Sequence, residues 1–442
     1  MKKRILLQAF MIIVIIVAGY FLTSAVFPKN LSRYPFFILL LLTDLYLWSV
    51  VKRKIFTYNN ILKSALAVLY WLPLMLLMAV TVVSYWHPSN EWHSAVRIYS
   101  NGLIFIFYVA KIVPAIFLLT ADLIRFSVHI ARNTKSRSKD RNSAGKISRS
   151  RFIEQISLAT GGLMIATMFA GMLKWVHDFK IKHIKIPIRQ LPFAFQGYRI
   201  AQISDMHLGS WSSIDQLEQA IELIQYEAPD MIVFTGDLVN YSTEEAFKFK
   251  ETLRKLSAND GVFAILGNHD YGDYKNWPTT EDKKQNMRDL YSFYNDIGWK
   301  LLRNDHKIIT REGDSLAVIG VENWSSHKRF PKKGNLEKAT KGLGQVPVRI
   351  LLSHDPSHWD VVEKQNPEIQ LTLSGHTHGF QFGIDIPGIK WSPAQYMYKR
   401  WAGLYSTEDQ SRYLYVNRGL GSIGYPGRIG ILPEITMIEL IS

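Results

Sequence analysis

Residues 198–207, YRIAQISDMH, decide the fold: an apolar, β-branched run closes on Asp205-Met206-His207. The pattern returns four times. Met231–Thr235 runs into Gly236-Asp237, Val262–Leu266 into Gly267-Asn268-His269-Asp270, Arg349–Ser353 into His354-Asp355, and Ile369–Leu373 into Gly375-His376-Thr377-His378. Each run has the length and residue types of a buried strand, and each is followed by groups that bind metals or move protons. Ile214–Tyr226 and Glu244–Leu256 are amphipathic and predict helices between them, and further strands are predicted at Ser315–Val321, Tyr413–Val416 and Ile435–Leu440. Strands alternating with helices make an α/β domain, whose ligands gather past the carboxyl ends of the strands. Segments 271–300 and 385–411 carry weak strand signals and many aromatics.

Asp205 and His207 stand two apart, as do His376 and His378, so an extended backbone would point each pair to one side. Mixed imidazole and carboxylate donors suit manganese, iron or zinc better than magnesium or calcium. Glycines before Asp237, Asn268 and His376 allow tight turns. Singly, an Asp-x-His or Gly-Asp is far more often a solvated loop, and His354 alone reads as a core or capping histidine. Gly-Asn-His-Asp and Gly-His-Thr-His are more specific, and five such motifs in series on strand ends are not a set of ordinary turns. The chain has no cysteine, which excludes disulfides and thiolate ligands.

Ahead of residue 176 the texture changes. Apolar runs of about 20 residues, long enough to cross a bilayer, lie at Ile5–Phe27, Tyr34–Val51, Ser64–Trp86, Gly102–Ile124 and, more weakly, Ile156–Leu173. The first is long for a signal peptide and lacks a small-x-small cleavage site, so it reads as a retained helix. Residues 1–175 hold 21 Lys+Arg against 5 Asp+Glu, and the remainder holds 31 against 32, so the net charge of +15 belongs to the first part. A near-neutral globular part gives no reason to expect a nucleic-acid partner; the bilayer is the expected one. Basic residues cluster at 2–4, 52–63 and 125–151, while 28–33 and 87–100 are poor in them. That asymmetry puts the N-terminus and the 125–151 loop in the cytoplasm, and five crossings place the rest on the extracytoplasmic side of the membrane. If the fifth run, weakened by Gly161-Gly162, were interfacial instead, the globular part would stay cytoplasmic. The expected division is a membrane domain at 1–152 with four transmembrane helices and the basic loop, a fifth helix and linker at 153–189, and a catalytic domain at 190–442. Asp44 and Lys111 fall at matching depths in the second and fourth runs. A lone mid-bilayer charge costs about 2.5–3.5 kcal/mol on the insertion scale, which favours an interhelical pair; the alternative is a Lys111 that snorkels outward and an Asp44 that hydrogen-bonds locally.

The series Asp205/His207, Asp237, Asn268/His269, His354, His376/His378 resembles the calcineurin-like metallophosphoesterase superfamily over residues 195–440. N-terminal anchoring, Gly375-His-Thr-His-Gly379, Asn417-Arg-Gly-Leu-Gly421 and Pro433-Glu434 are similar to its bacterial membrane-anchored or exported branch. Two departures stand out. Ser148-Arg-Ser-Arg151-Phe152 lacks the adjacent arginines of a twin-arginine signal, and Phe380 stands where another glycine is expected. The resemblance implies a four-layered α/β/β/α sandwich and two divalent metal ions, manganese first, with iron or zinc as alternatives. It assigns one ion to Asp205, His207 and His378 and the other to Asn268, His354 and His376, with Asp237 bridging. His269 would protonate the leaving group, and Asp270 would orient it or serve only as a turn residue. Arg428 would bind a substrate phosphate or form a surface ion pair.

The expected activity is hydrolysis of a phosphoester or pyrophosphate bond, on a lipid-linked or envelope substrate given the anchor. A catalytically silent membrane sensor or scaffold is the alternative, against which the complete donor set argues. A transporter has little support, since no symmetric pair of interrupted helices is seen. Trp391, Tyr396, Tyr398, Trp401 and Tyr405, interleaved with Lys390, Lys399 and Arg400, would line a rim for an amphipathic substrate, rest at the membrane interface, or simply fill core.

Overall fold

The computed structural model describes residues 2–89, 92–133 and 149–442, so most of the basic 125–151 loop lies outside the described residues. The chain divides into two compact units, Met1–Phe169 and Ala170–Ser442.

The first unit is helical: α1 (Lys2–Val26), α2 (Tyr34–Ile55), α3 (Asn60–Trp86), α4 (Ser94–Asn133) and most of α5 (Arg149–Leu173). Unbroken Leu, Ile, Val and Phe runs must satisfy their backbone internally in lipid, and the helix does so. Asn59 starts α3 by accepting the Leu62 N–H. Among the described residues, four helices are long and apolar enough to cross a membrane: Leu31–Ile55, Asn60–Trp86, Ser94–Val128 and Gln155–His177. The described apolar part of α1, Ile16–Val26, is shorter. Outward-facing Leu72, Met75, Phe117 and Ile124 leave these helices apolar on their exposed sides, as membrane spans are. Asp44 and Lys111 do pair, 2.6 Å apart between α2 and α4.

The second unit contains two six-stranded sheets and a hairpin. Its strands are β1 (Lys180–Pro187), β2 (Arg199–Ile203), β3 (Met231–Phe234), β4 (Val262–Ala264), β5 (Lys300–Leu301), β6 (Asp305–Arg311) and β7 (Asp314–Gly320). They continue as β8 (Val348–Leu352), β9 (Leu371–Ser374), β10 (Ile384–Ile386), β11 (Ile389–Trp391), β12 (Gly403–Ser406), β13 (Tyr413–Val416) and β14 (Glu434–Ile441). One sheet is ordered β1-β14-β2-β3-β4-β5 and the other β12-β13-β9-β8-β7-β6; β10 and β11 pair with each other. Alternation along each strand builds the layers. In β3, Met231 and Val233 enter the core between the sheets, while Ile232 and Phe234 meet Leu217 and Ile221 of α6 (Ile214–Tyr226). Two short helices, α7 (Glu244–Phe247) and α8 (Lys250–Arg254), and α9 (Thr280–Asp296) complete that outer layer. In β7, Leu316 and Val318 face inward, and Ala317 and Ile319 pack on α10 (Leu336–Thr340) and α11 (Trp359–Gln365). Helix, sheet, sheet, helix is the four-layered sandwich expected.

Three local differences have physical causes. The helix predicted at 244–256 is two pieces, separated where Phe249 turns into the core. Segment 271–300 holds α9, started by a capping box between Thr279 and Asp282. Residues 180–187, within the expected linker, form the edge strand β1. In KIKHIKIP the apolar positions 181, 184 and 186 break the two-residue period that marks a strand.

Candidate metal centre

Parallel registers bring the motif loops to one edge. Ile203 lies opposite Phe234 and Phe234 opposite Ala264, so β2, β3 and β4 end level. In the second sheet Leu352 lies opposite Leu373, and Ser374 opposite Val416. The loops then lace together: Asp205 N–H donates to Gly236 O (2.9 Å), His207 N–H to Asp237 O (3.1 Å), and Gly375 N–H to His354 O (2.9 Å). A Cβ on Gly267 would strike the Asp237 carboxylate, and one on Gly375 would strike Ser204 Oγ and Asp205 Oδ2. Glycine is what allows this approach.

The backbone carrying the candidate ligands is not extended. Asp205 (φ 49°), His207 (48°), Asp237 (60°), His376 (72°) and His378 (51°) are all left-handed. Each pair converges because the chain coils as it leaves its strand, and not because alternate strand residues share a face. Such conformations cost about 1–3 kcal/mol each and persist only where the surroundings dictate them. The coil continues through Gly379, Phe380 and Gln381 (φ 53°, 51° and 58°), with Phe380 in a conformation glycine takes more easily.

Two donor groups result. Asp205, His207 and His378 each bring a ligand atom within 4.8 Å of the others, and so do Asp237, His354 and His376. His207 Nε2 and His378 Nε2 face each other at 3.1 Å, and Asp205 Oδ1 is 3.2 Å from His378 Nε2. In the second group, His376 Nδ1 is 3.2 Å from His354 Nε2. Asp237 Oδ2 reaches both groups, 3.1 Å from His354 Nε2 and 3.6 Å from His207 Nε2. Asn268 Oδ1 is buried without a hydrogen-bond partner.

Electrostatics agree with a cation site. Burial alone would raise Asp205 and Asp237, but the facing imidazoles His378 and His354 more than offset it, and both carboxyls titrate low. Burial holds His207 well below the usual histidine range and His376 down to about 4. His354 is lowered by burial too, yet Asp237 lifts it to about 10. A proton on His354 Nε2 sits where a divalent cation would displace it. Nitrogens facing nitrogens, carboxylates kept ionised and an unpartnered amide oxygen fit divalent metal in both groups.

The remaining expected residues separate. His269 stands at the centre's edge, its ring 4.9 Å from that of His207. Its Nδ1–H donates to Asn240 O (2.8 Å), which orients the ring through that nitrogen. Asp270 does not touch the His269 ring. It accepts the backbone N–H groups of Asp237 (2.9 Å), Leu238 (2.8 Å), Val239 (3.3 Å) and Gly267 (2.8 Å), so it ties two ligand loops together. Burial and the Asp237 charge pull its pKa up to about 7, against the pull of those donors. Arg428 is fully buried, so it forms no surface ion pair. Its guanidinium donates to the carbonyls of Arg418, Gly419 and Gly421, bracing the loop beside Asp205. Burial draws its pKa down to about 9.

Two tyrosines complete the surroundings. Tyr274 OH accepts the Asn268 Nδ2–H (2.9 Å), and Tyr398 OH meets His376 Nε2 (2.8 Å). Both come from the aromatic-rich segments with weak strand signals, and no spacing marked them. Tyr398 and Trp401 are buried beneath the His378 loop.

Residues 198–380 match the calcineurin-like phosphoesterase family, and residues 30–175 match the transmembrane domain of calcineurin-like phosphoesterases. The metallophosphoesterase YkuE of Bacillus subtilis (strain 168) is 30% identical over 307 residues, covering 67% of this chain and 99% of YkuE. The chain belongs to the calcineurin-like phosphoesterases. It is therefore a metal-dependent hydrolase, carried by a multi-pass membrane protein. The match at 30–175 holds all but the last two residues of the four candidate spans, including the weak run at 156–173. A transmembrane protein with a metallophosphoesterase domain from Danio rerio is 29% identical over 317 residues, 68% of each chain. The UDP-2,3-diacylglucosamine pyrophosphatase LpxG of Chlamydia muridarum is 27% identical over 304 residues, 58% of this chain and 90% of LpxG.

Proposed function

We propose that this phosphoesterase hydrolyses a phosphoester or pyrophosphate bond of a lipid-linked or envelope substrate, at a two-metal centre on the extracytoplasmic side of the membrane. The observation that carries the reading is Asp237, whose Oδ2 lies within 3.6 Å of a donor in each of the two groups. Asp205, His207 and His378 would hold one ion and Asn268, His354 and His376 the other, with Asp237 between; manganese suits the donors, as do iron and zinc. When bound, two divalent ions there supply Lewis acidity to the phosphoryl oxygens and a nucleophile near neutral pH.

The chain's own residues do the rest. His269, oriented by the Asn240 carbonyl, delivers a proton from Nε2 to the departing oxygen. Asp270 holds the Asp237 and Gly267 loops at a fixed separation. Tyr274 and Tyr398 hold Asn268 and His376 from behind. The membrane spans and the diacyl substrate in LpxG's name support a lipid-linked substrate. Basic clusters at 2–4, 52–63 and 125–151 support the orientation. The proposed division is 1–152, 153–189 and 190–442, with the β1 residues Lys180–Pro187 assigned to the catalytic part instead of the linker.

The test is full-length protein in nanodiscs, with metal counted by mass spectrometry and turnover followed on a chromogenic phosphodiester and a nucleotide-diphosphate glycolipid. Two ions per chain and faster turnover of the lipid are expected. One ion would remove the bridging role of Asp237; two ions without turnover would favour the silent sensor. Protease added to intact cells should reach residues 176–442, and their protection until lysis would reverse the orientation.

A further inference from the structure

The β10–β11 hairpin has its faces reversed. Its register pairs Ile384 with Trp391, Asp385 with Lys390 and Ile386 with Ile389. One face is therefore Ile384, Ile386, Ile389 and Trp391, and the other is Asp385 and Lys390. The polar face is the one turned inward: Asp385 pairs with Arg418 (2.7 Å) and Lys182 (2.9 Å), and Lys390 donates to the Ala402 carbonyl. The apolar face is left uncovered, Ile386 at 55% and Ile389 at 53% exposure. One-sided sheets normally bury the apolar face and wet the polar one, and a two-stranded hairpin is marginal in water even then. Phe382, also exposed, extends the same patch, its ring 6.3 Å from that of Trp391.

Where the hairpin is rooted says what covers it. Phe382 bridges to Ile429, and Gly383 N–H donates to Ile429 O (2.9 Å). Arg428 N–H, one residue earlier, donates to Gly171 O (3.2 Å), and Ile429 lies against Gly171 closely enough to crowd a Cβ there. Gly171 belongs to the candidate membrane span Gln155–His177. The hairpin thus grows from a segment packed on the span's last turns, and strands of three residues reach only about 10 Å beyond it. Isoleucines and phenylalanines with Trp391, the 78% exposed Tyr396 and nearby lysines are the composition of an interfacial layer.

We infer that the apolar face of the β10–β11 hairpin is a membrane-docking surface, seated in the interfacial layer of the bilayer that α5 crosses. It adjoins the metal centre: Phe380 and Phe382 follow His378 directly, and Ser392 Oγ, just past β11, donates to Gly379 O (2.6 Å). If the proposed function holds, a lipid-linked substrate would reach the donors along this face without leaving the membrane. The docking itself does not depend on that reading.

The chain has no cysteine, so single cysteines can be labelled cleanly. Full-length Ile386→Cys and Ile389→Cys, each carrying an environment-sensitive NBD group, would be placed in phosphatidylcholine–phosphatidylglycerol nanodiscs containing 5-doxyl lipid. Phe193→Cys, 88% exposed and beyond the far end of β1, is the control. Blue-shifted emission and at least twofold stronger quenching are expected at 386 and 389 than at 193. Water-like emission at all three would overturn the inference. So would blue-shifted emission without lipid quenching, the signature of a second copy or another protein covering the face. The labels report without turnover, so a wrong substrate class and an undocked hairpin give different results. As a second check, Ile386→Ser with Ile389→Ser should abolish a preference for the lipid over the chromogenic ester while leaving turnover of the latter unchanged; equal effects on both would count against docking.

Discussion

Each unit of this phosphoesterase buries a knot of charge, and the two knots are built on opposite terms. In the membrane unit, Asp44 Oδ1 takes Lys111 (2.6 Å) and Oδ2 takes the Tyr108 hydroxyl (3.0 Å). Lys111 also donates to Tyr70 O (2.8 Å), and Tyr70 OH returns to Asp44 O (2.6 Å). The charge is closed on itself within regular helices. In the catalytic unit, imidazole nitrogens face each other at 3.1 Å and 3.2 Å, Asn268 Oδ1 is buried without a partner, and the backbone is left-handed at five donors. A closed knot fixes packing, because each charge already has its counter-charge. An open one asks for something else, and a divalent cation is what its donors suit.

Changes that neutralise the open knot should have the largest effect. Asp237→Asn removes the carboxylate that faces both His354 and His207, and turnover should fall by about 10³-fold or more. Metal content should drop below two per chain by mass spectrometry; wild-type turnover with two ions would sink the bridging role. His269→Ala acts beside the donors, so metal content should hold. Turnover of esters with poor leaving groups should fall by about 10²–10⁴-fold, and that of activated esters far less. Equal slowing of both would remove His269 as the acid.

The closed knot should respond in stability and not in chemistry. Asp44→Ala or Lys111→Ala leaves a buried charge unpaired, a loss of about 3–5 kcal/mol for such pairs, read as reduced accumulation in the membrane. Surviving protein should turn over normally per molecule. Swapping the two, Asp44→Lys with Lys111→Asp, should recover part of the loss. A swap worse than either single change would mean that Tyr70 and Tyr108, not the pair, hold the helices.

The same contrast explains how much the sequence makes legible. Asp44 and Lys111 are legible because helices are regular: ten residues into two runs that cross in the same direction is the same depth, whatever the details. The five motifs are legible for a similar reason, since strands in register deliver their next residues to one edge. Beyond a strand's last residue that regularity ends. Alternation predicts that Asp205/His207 and His376/His378 each converge, and they do so by another route, since the loops coil left-handed there. Asp270 looks like a partner for His269 because it is next in sequence; its oxygens go instead to backbone N–H groups some thirty residues away. Arg428 shows the opposite failure, a charge that composition places outside and that four loop carbonyls hold inside. Tyr274 and Tyr398 carry no spacing signal, because a hydroxyl that backs a ligand needs only to arrive.

Tyr274 gives the smallest change that still separates the two knots. A carboxamide can turn either end toward a cation, and only its oxygen is a ligand. Asn268 is turned one way because Nδ2–H has an acceptor in Tyr274 OH at 2.9 Å, leaving Oδ1 directed elsewhere. Tyr274→Phe deletes that acceptor and keeps the ring, which lies tilted against His269 with centroids 4.3 Å apart. Affinity for one of the two ions should then weaken by about 10-fold, the low end for loss of a group behind a ligand. At saturating manganese the rate should nearly return. Titrating metal into stripped protein alongside the parent reads this directly: one binding step is expected to weaken and the other to hold. Unchanged affinity would mean that the amide is held by its loop alone, and equal weakening of both steps would mean general damage. The matched change in the closed knot, Tyr70→Phe, removes the hydrogen bond to Asp44 O and should leave both metal steps untouched. Any shift in metal affinity from that membrane-unit phenol would show that the two knots are not independent.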